Sequence, residues 1–195
     1  MAPRGVAIPD ARERLFAAAE RVLERDGAGA LTSRAVTDEA GCSKGLLHAH
    51  FAGLDDFTAE LCLDRFARTA RLAERLPARA GEGDVARTLA GVALTLFRSG
   101  GPTISALALS RPAAAHRVRE ALQSGAPGFD AIEAAVAAYL EAELRLGRVP
   151  PHTDTAAAAL AVVGTVHHLL MTSRPGGPDP QGRVEGVVRV VLGAG

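Results

Sequence analysis

The amino-acid sequence predicts an all-α protein in which an N-terminal three-helix bundle carries a helix-turn-helix and a larger helical domain follows. Three observations predict it. Apolar residues recur at helical spacing along nearly the whole chain, and no segment sustains alternation at period two. The 195 residues are 48% hydrophobic but only 4% aromatic, with no Trp and one Tyr, so the core must be filled by Ala, Leu and Val, which suit close helix packing. Between Leu31 and Phe51 the chain reads LTSRAVTDEAGCSKGLLHAHF, two short helical segments hinged at Ala40-Gly41-Cys42.

Taken in order, the first helix is expected from about Asp10 to Asp26, with Leu15, Ala18, Ala19, Val22 and Leu23 on its apolar side and Gly27 and Gly29 ending it. These two glycines make a GxG, but a dinucleotide-binding loop needs a third glycine and a preceding strand. Thr32 can cap the second helix and Ser43 the third, because a side-chain oxygen there accepts from the unpaired N–H groups of the first turn. Gly41 supplies the bend, since glycine tolerates positive φ. Leu47 and Phe51 fall where the third helix must meet the first and are expected in the core, and Cys42 is expected as an inert turn residue. A long helix from Leu54 or Asp55 to about Leu76, stopped by Pro77, links the domains, which are placed at 1–53 and 77–195. Asp84 can cap a helix carrying Val85, Leu89, Val92, Ala93 and Leu96. Shorter helices are expected over Ile104–Ser110 and Ala113–Gln123, and an amphipathic one over Phe129–Leu146.

Two late segments carry more apolar surface than one subunit is expected to bury. Leu160, Val163, Gly164, His167, Leu170 and Met171 line one helix; Val184, Val187, Val188 and Val191 line another, although the valine cluster would also suit a strand. Paired with the same two helices of a second copy they would make a four-helix homodimer interface; the alternative is an intrasubunit core. A dimer also suits the helix-turn-helix, because one short helix reads few base pairs and a two-fold pair reads a palindrome.

The formal net charge is +0, which excludes long-range attraction to nucleic acid or membrane, so a DNA contact must come from a local face. Lys44, the only lysine, falls at the start of the third helix. Arg4, Arg12, Arg14, Arg21, Arg25, Arg34 and Lys44 are offset by Asp10, Glu13, Glu20, Glu24, Asp26, Asp38 and Glu39, leaving the head neutral unless its histidines ionise. The two cysteines, Cys42 and Cys62, have no zinc-site spacing and fit a reducing cytoplasm. The N-terminal stretch lacks a signal-peptide core, and the longest apolar run, Ala156–Met171, is interrupted by His167 and His168, so neither a secretory signal nor a membrane span is expected.

The order and spacing of Leu15-Phe16-Ala17-Ala18-Ala19, Gly27, Leu31-Thr32, Glu39-Ala40-Gly41, Ser43-Lys44-Gly45 and His50-Phe51 resemble the TetR family of bacterial transcriptional regulators. The resemblance implies a DNA-binding head, a C-terminal helical ligand-binding and dimerisation domain, and a homodimer that leaves a palindromic double-stranded DNA operator when a small-molecule effector binds. It points to Thr32, Ser33, Arg34, Ser43, Lys44, Gly45, Leu46, His48, Ala49 and His50 as DNA-facing, and to Phe97, Leu107, His116, Phe129, Tyr139 and His167 as candidate pocket wall, each with ordinary core as the alternative.

Three positions depart from the family pattern. His48 stands where Tyr is common; it can still donate to a phosphate, and its charge makes binding pH-sensitive. Leu54, followed by Asp55 and Asp56, stands where Lys is common; those acids suit the helix dipole and disfavour phosphate. Thr37 replaces a usual Ala and can bond back to a carbonyl one turn earlier. Few rings suggest a largely apolar effector rather than a flat cation. The adjacent His167 and His168 lie about 100° apart around a helix and cannot share a metal, and no metal or cofactor is expected. The competing readings are a dimeric DNA binder without ligand and a helical enzyme that keeps the head as structure. No nucleophile elbow, HExxH or phosphate loop favours the enzyme.

Overall fold

The computed structural model describes residues 11–100, 107, 110–172 and 177–193. Asp10, Arg4 and most of the helix expected over Ile104–Ser110 lie outside these. Among the described residues every regular element is helical: α1 Ala11–Asp26, α2 Ser33–Glu39, α3 Lys44–His50, α4 Leu54–Ala73, α5 Val85–Gly100, α6 Pro112–Gln123, α7 Phe129–Arg145, α8 Thr155–Thr172 and α9 Pro180–Val191. The described residues fall into two compact units. One runs to Cys62 and takes in the segment from Leu107 to Glu120; the other comprises the rest.

In the first unit, α1 packs on α2 and α3. Leu15, Val22, Val36, Leu47, Phe57 and Leu61 are fully enclosed, and Leu47 and Phe51 are core as expected. The rings of Phe16, Phe51 and Phe57 form a mutually touching cluster, with centroids 5.7, 5.6 and 5.0 Å apart. The guanidinium of Arg12 lies 4.6 Å from the Phe51 centroid and pairs with Glu60 at 2.8 Å, roofing that cluster. Thr37 is buried, and its hydroxyl donates to the carbonyls of Ser33 and Arg34 at 3.0 and 3.1 Å. The hydroxyl is thus satisfied within its own helix.

The second unit packs α5 on α8 and α9, α8 on α7, and α9 on α8. Asp84 caps α5 through Arg87 N–H at 2.7 Å, and Asp179 caps α9 through the N–H groups of Gln181 and Gly182, with Pro180 in the first turn. The valine cluster is helix, not strand. α4 ends at Ala73, three residues before the expected stop, and the chain turns through Leu76 into a 3-10 turn over Pro77–Arg79, which proline can open because it needs no N–H partner there.

Glu143 is a fully buried carboxylate in this aliphatic core. Glu143 accepts from Arg148 Nε at 2.8 Å and from Gly81 N–H at 3.1 Å, and Arg148 in turn donates to the carbonyls of Gly81, Glu82 and Gly83. The end of α7 is thereby tied to the loop before α5. Burial, together with the nearby Glu143, pushes the Tyr139 phenol up to about 12.

Four expected interface residues are corrected by this packing: Val163, Leu170, Val184 and Val188 are buried inside the unit. α8 is apolar on almost every face, so α5, α7 and α9 take one side of it and leave Leu160 57% and Met171 40% exposed. By length and composition α8 is also apolar enough to cross a membrane, a test the two histidines do not defeat, but here it packs as a core helix.

Candidate nucleic-acid interface

The helix-turn-helix is built from backbone bonds and one working cap. Thr32 accepts from Ala35 N–H at 3.0 Å and starts α2. α2 stops at Gly41, whose φ of +63° lets Gly41 N–H reach the Asp38 carbonyl and Cys42 N–H the Thr37 carbonyl, at 3.1 and 3.0 Å. That pair of bonds satisfies the last carbonyls of α2 while turning the chain into α3. Ser43 occupies the capping position of α3, yet its side chain makes no capping bond, contrary to expectation. Its backbone carbonyl instead accepts from Leu46 N–H at 3.0 Å. The Ser43 hydroxyl therefore stays exposed, with its hydrogen-bonding capacity unspent on the helix.

α1 fixes this turn from behind. Arg14 donates to the Ala40 carbonyl at 3.0 Å, and Arg21 and Arg25 grip Glu39 at 2.7 and 2.9 Å. Glu39 sits at the negative end of α2, where the dipole disfavours it; the two guanidiniums offset this and hold its carboxyl below the usual range, Arg21 contributing most. Cys42 is half-buried, and burial raises its thiol despite Arg14 nearby, which suits an inert turn residue.

On α3, Leu47 points into the core, while Ser43, Lys44, Gly45, His48, Ala49 and His50 are exposed and Leu46 is half-buried. Lys44 and Gly45 recur one turn later as His48 and Ala49, so these four share an outer face. Lys44 has no ion pair among the described residues. On α2, Thr32 and Arg34 are exposed and Ser33 half-buried; Arg34 is drawn toward Asp38 at 3.4 Å.

Sequence reasoning missed how the acids after this helix are balanced. Asp55 pairs with Arg111 at 2.5 Å and Asp56 with Arg117, while Asp56 also accepts from Ala52 N–H at 2.9 Å. The arginines lie 56 and 61 residues downstream, a separation at which no local pattern signals a contact. The repulsion of phosphate expected from Asp55 and Asp56 is offset by these partners.

With this geometry in place, residues 15–61 match the profile of the bacterial regulatory proteins of the tetR family. This stretch of the chain is therefore similar to the tetR-family regulatory proteins. No curated protein matches the chain. Among solved structures, a TetR-family transcriptional regulator from Mesorhizobium loti aligns with a TM-score of 0.72 and 14% identity, covering 97% of this chain and 98% of its own. The multidrug binding protein EbrR complexed with ethidium aligns with a TM-score of 0.60 and 25% identity, covering 94% and 99%. FadR from Bacillus subtilis, in complex with stearoyl-CoA, aligns with a TM-score of 0.63 and 14% identity, covering 92% and 97%. The chain therefore shares the fold of these proteins over 92–97% of its length.

The candidate pocket residues are divided between the two units. Phe129 lines an apolar crevice with Phe66, Thr69, Leu96, Val163 and Leu170, and its ring touches Phe66 at 5.4 Å and His167 at 5.0 Å. Tyr139 is instead enclosed in the core, Phe97 is half-buried against that core, and Leu107 and His116 belong to the first unit, where His116 is exposed and 3.5 Å from Glu120. The crevice leaves about 10 Å³ of free space, roughly one water. Among the described residues no three His, Cys, Asp or Glu side chains are grouped to hold a metal.

Proposed function

We propose that the chain is a transcriptional repressor, not an enzyme, that binds a palindromic operator as a homodimer in the cytoplasm and is released by a small-molecule effector. What carries the reading is the outer face of α3: an exposed Lys44 with no ion pair, a glycine that lets backbone approach, and His48 and Ala49 one turn on, all held by a turn locked to α1. Lys44 can donate to guanine O6 or N7, Leu46 can touch a thymine methyl, and Ser33, Arg34 and Ser43 can reach phosphates. Thr32, besides capping α2, and His50 border this surface.

The second copy is supported by the other face of α8. Leu160, Gly164 and His168 of α8 and Gly182, Gly186 and Val187 of α9 line one open groove, with Met171 exposed further along α8 and Val190 80% exposed on α9. Of the other residues expected there, His167 has its ring 5.0 Å from that of Phe129, and Val191 is half-buried against the core. Covering such a patch stabilises association through apolar burial. The effector reading draws on the crevice at Phe129 and on the stearoyl-CoA and ethidium complexes of the similar proteins. The wall is apolar, and the rings of Phe66 and Phe129 must move aside to admit a ligand.

Fluorescence anisotropy of the purified protein on DNA from upstream of its own coding region, against scrambled DNA, tests the proposal. Saturable, sequence-selective binding by dimers is expected, and Lys44→Ala weakens it by about 1–3 kcal/mol if Lys44 reads a base. An equal loss on every sequence assigns Lys44 to phosphate. No selective binding by a folded dimer at low salt overturns the regulator reading.

A further inference from the structure

His48 follows Lys44 by one helical turn, so both project from the outer face of α3, and both are exposed. The charged groups on the surrounding elements are nearly all committed. On α2, Asp38 pairs with Arg34, and Glu39 with Arg21 and Arg25. On α4, Asp55, Asp56 and Glu60 pair with Arg111, Arg117 and Arg12. On α1, Asp26 pairs with Arg25, Glu13 and Glu20 are engaged, and Arg14 is bonded to the Ala40 carbonyl; Glu24, near the end of α1, is the one carboxylate of these elements with no partner among the described residues. A proton on His48 therefore meets no carboxylate waiting for it. It adds instead to the charge of Lys44, and the carbonyl end of α3 favours it there. Lys44 opposes it only weakly, as like charges one turn apart do.

The effect on this head is large because its charge is balanced. Over residues 11–62 and 107–120 there are nine Arg and Lys against ten Asp and Glu, so a single imidazolium brings the formal charge from −1 to zero. On the outer face of α3 it doubles the positive charge.

We infer that His48 is a proton-dependent phosphate clamp: the head binds duplex DNA with His48 protonated, taking up a proton from solvent, so its DNA affinity rises as pH falls. The clamp presupposes the DNA-binding role proposed above. The proton goes to the ring nitrogen that is bare in the neutral imidazole, and an N–H of the resulting cation donates to a phosphate oxygen. An anion held against an imidazole raises its pKa in the complex, so the gain is present below that raised value and lost as pH rises through it. His50 does not share the role, because two residues place it about 200° further around the helix, with its ring 6.4 Å from that of Phe51.

The test is anisotropy of the full chain on a fluorescein-labelled, mixed-sequence DNA duplex, titrated with salt at about pH 6 and about pH 8, where imidazoles change charge. Wild type is expected to bind at least about tenfold more tightly at the lower pH, with the slope of log affinity against log salt steeper by about 0.9 per subunit. His48→Gln, which keeps a neutral donor, is expected to remove most of that ratio, whereas His152→Gln retains it. Calorimetry in two buffers of different ionisation heat then reads net proton uptake on binding in wild type and none in His48→Gln. A wild type with the same affinity and slope at both pH values overturns the clamp, as does a His48→Gln variant that keeps the ratio. Absence of DNA binding at either pH, with the helical circular dichroism intact, removes the DNA-binding reading itself and the clamp with it.

Discussion

The two units solve the problem of a ring-poor sequence in opposite ways. The first concentrates three of the six phenylalanines into one cluster and fastens its short helices with directed bonds: a side-chain cap, a glycine turn, and arginines gripping the end of α2 and the start of α4. The second fills its interior with Ala, Leu and Val and buries the carboxylate of Glu143, which pairs with a partly exposed Arg148. The difference teaches where rigidity is needed. Helices of seven residues are too short to persist alone, so α2 and α3 depend on each directed contact. The long helices of the second unit are held by volume, which adjacent aliphatic side chains can redistribute.

That contrast can be broken from its strongest point downward. Phe57→Ala removes a fully buried ring that touches both others, and is expected to cost about 3–5 kcal/mol in urea unfolding. A loss no larger than about 1 kcal/mol would mean that the cluster is not the keystone of the first unit. Glu143→Ala leaves Gly81 N–H and Arg148 without their acceptor; because the Arg148 side chain is 31% exposed and can rehydrate, a loss of about 2–3 kcal/mol is expected, less than a fully buried pair would cost. The smallest effects separate the two caps. Thr32→Ala is expected to destabilise by about 1 kcal/mol, and Ser43→Ala by no more than a few tenths, since only Thr32 makes the bond. Equal losses would show that Ser43 caps α3 in solution. On the DNA side, the balanced charge predicts a shallow salt dependence at about pH 8, below about eight phosphate equivalents per dimer, which salt titration reads directly.

The first unit was legible wherever a physical requirement is local. Thr32, Gly41, Thr37 and Leu47 each answer to neighbours within one or two helical turns, and each behaves as its residue type and spacing predict. Ser43 shows the limit of that logic: the right residue at the right position left its hydroxyl unused, because the Leu46 N–H, counterpart of the Ala35 N–H that Thr32 caps, is already bonded to the Ser43 carbonyl. In the second unit the helices were legible but their faces were not. A helix such as α8, apolar on nearly all sides, has no polar stripe to say which way is in, so Val163 and Leu160 read alike although one is 3% and the other 57% exposed. The surroundings of the pocket candidates were illegible for a related reason. Phe129 and Tyr139 are placed by tertiary packing alone, and Phe66, which touches Phe129, carried no signal beyond being an aromatic residue on a helix.

The pairing of Arg111 and Arg117 with Asp55 and Asp56 also bears on how such a protein can be recombined. A reading head is commonly imagined as a cassette cut out just after its recognition helix and grafted onto a foreign sensor. Here the cassette is discontinuous: its second strip of chain arrives from 56 to 61 residues further on. A chimera that transplants only the N-terminal piece strands two carboxylates at the start of α4, whereas one that carries residues 107–120 along keeps the graft electrically whole.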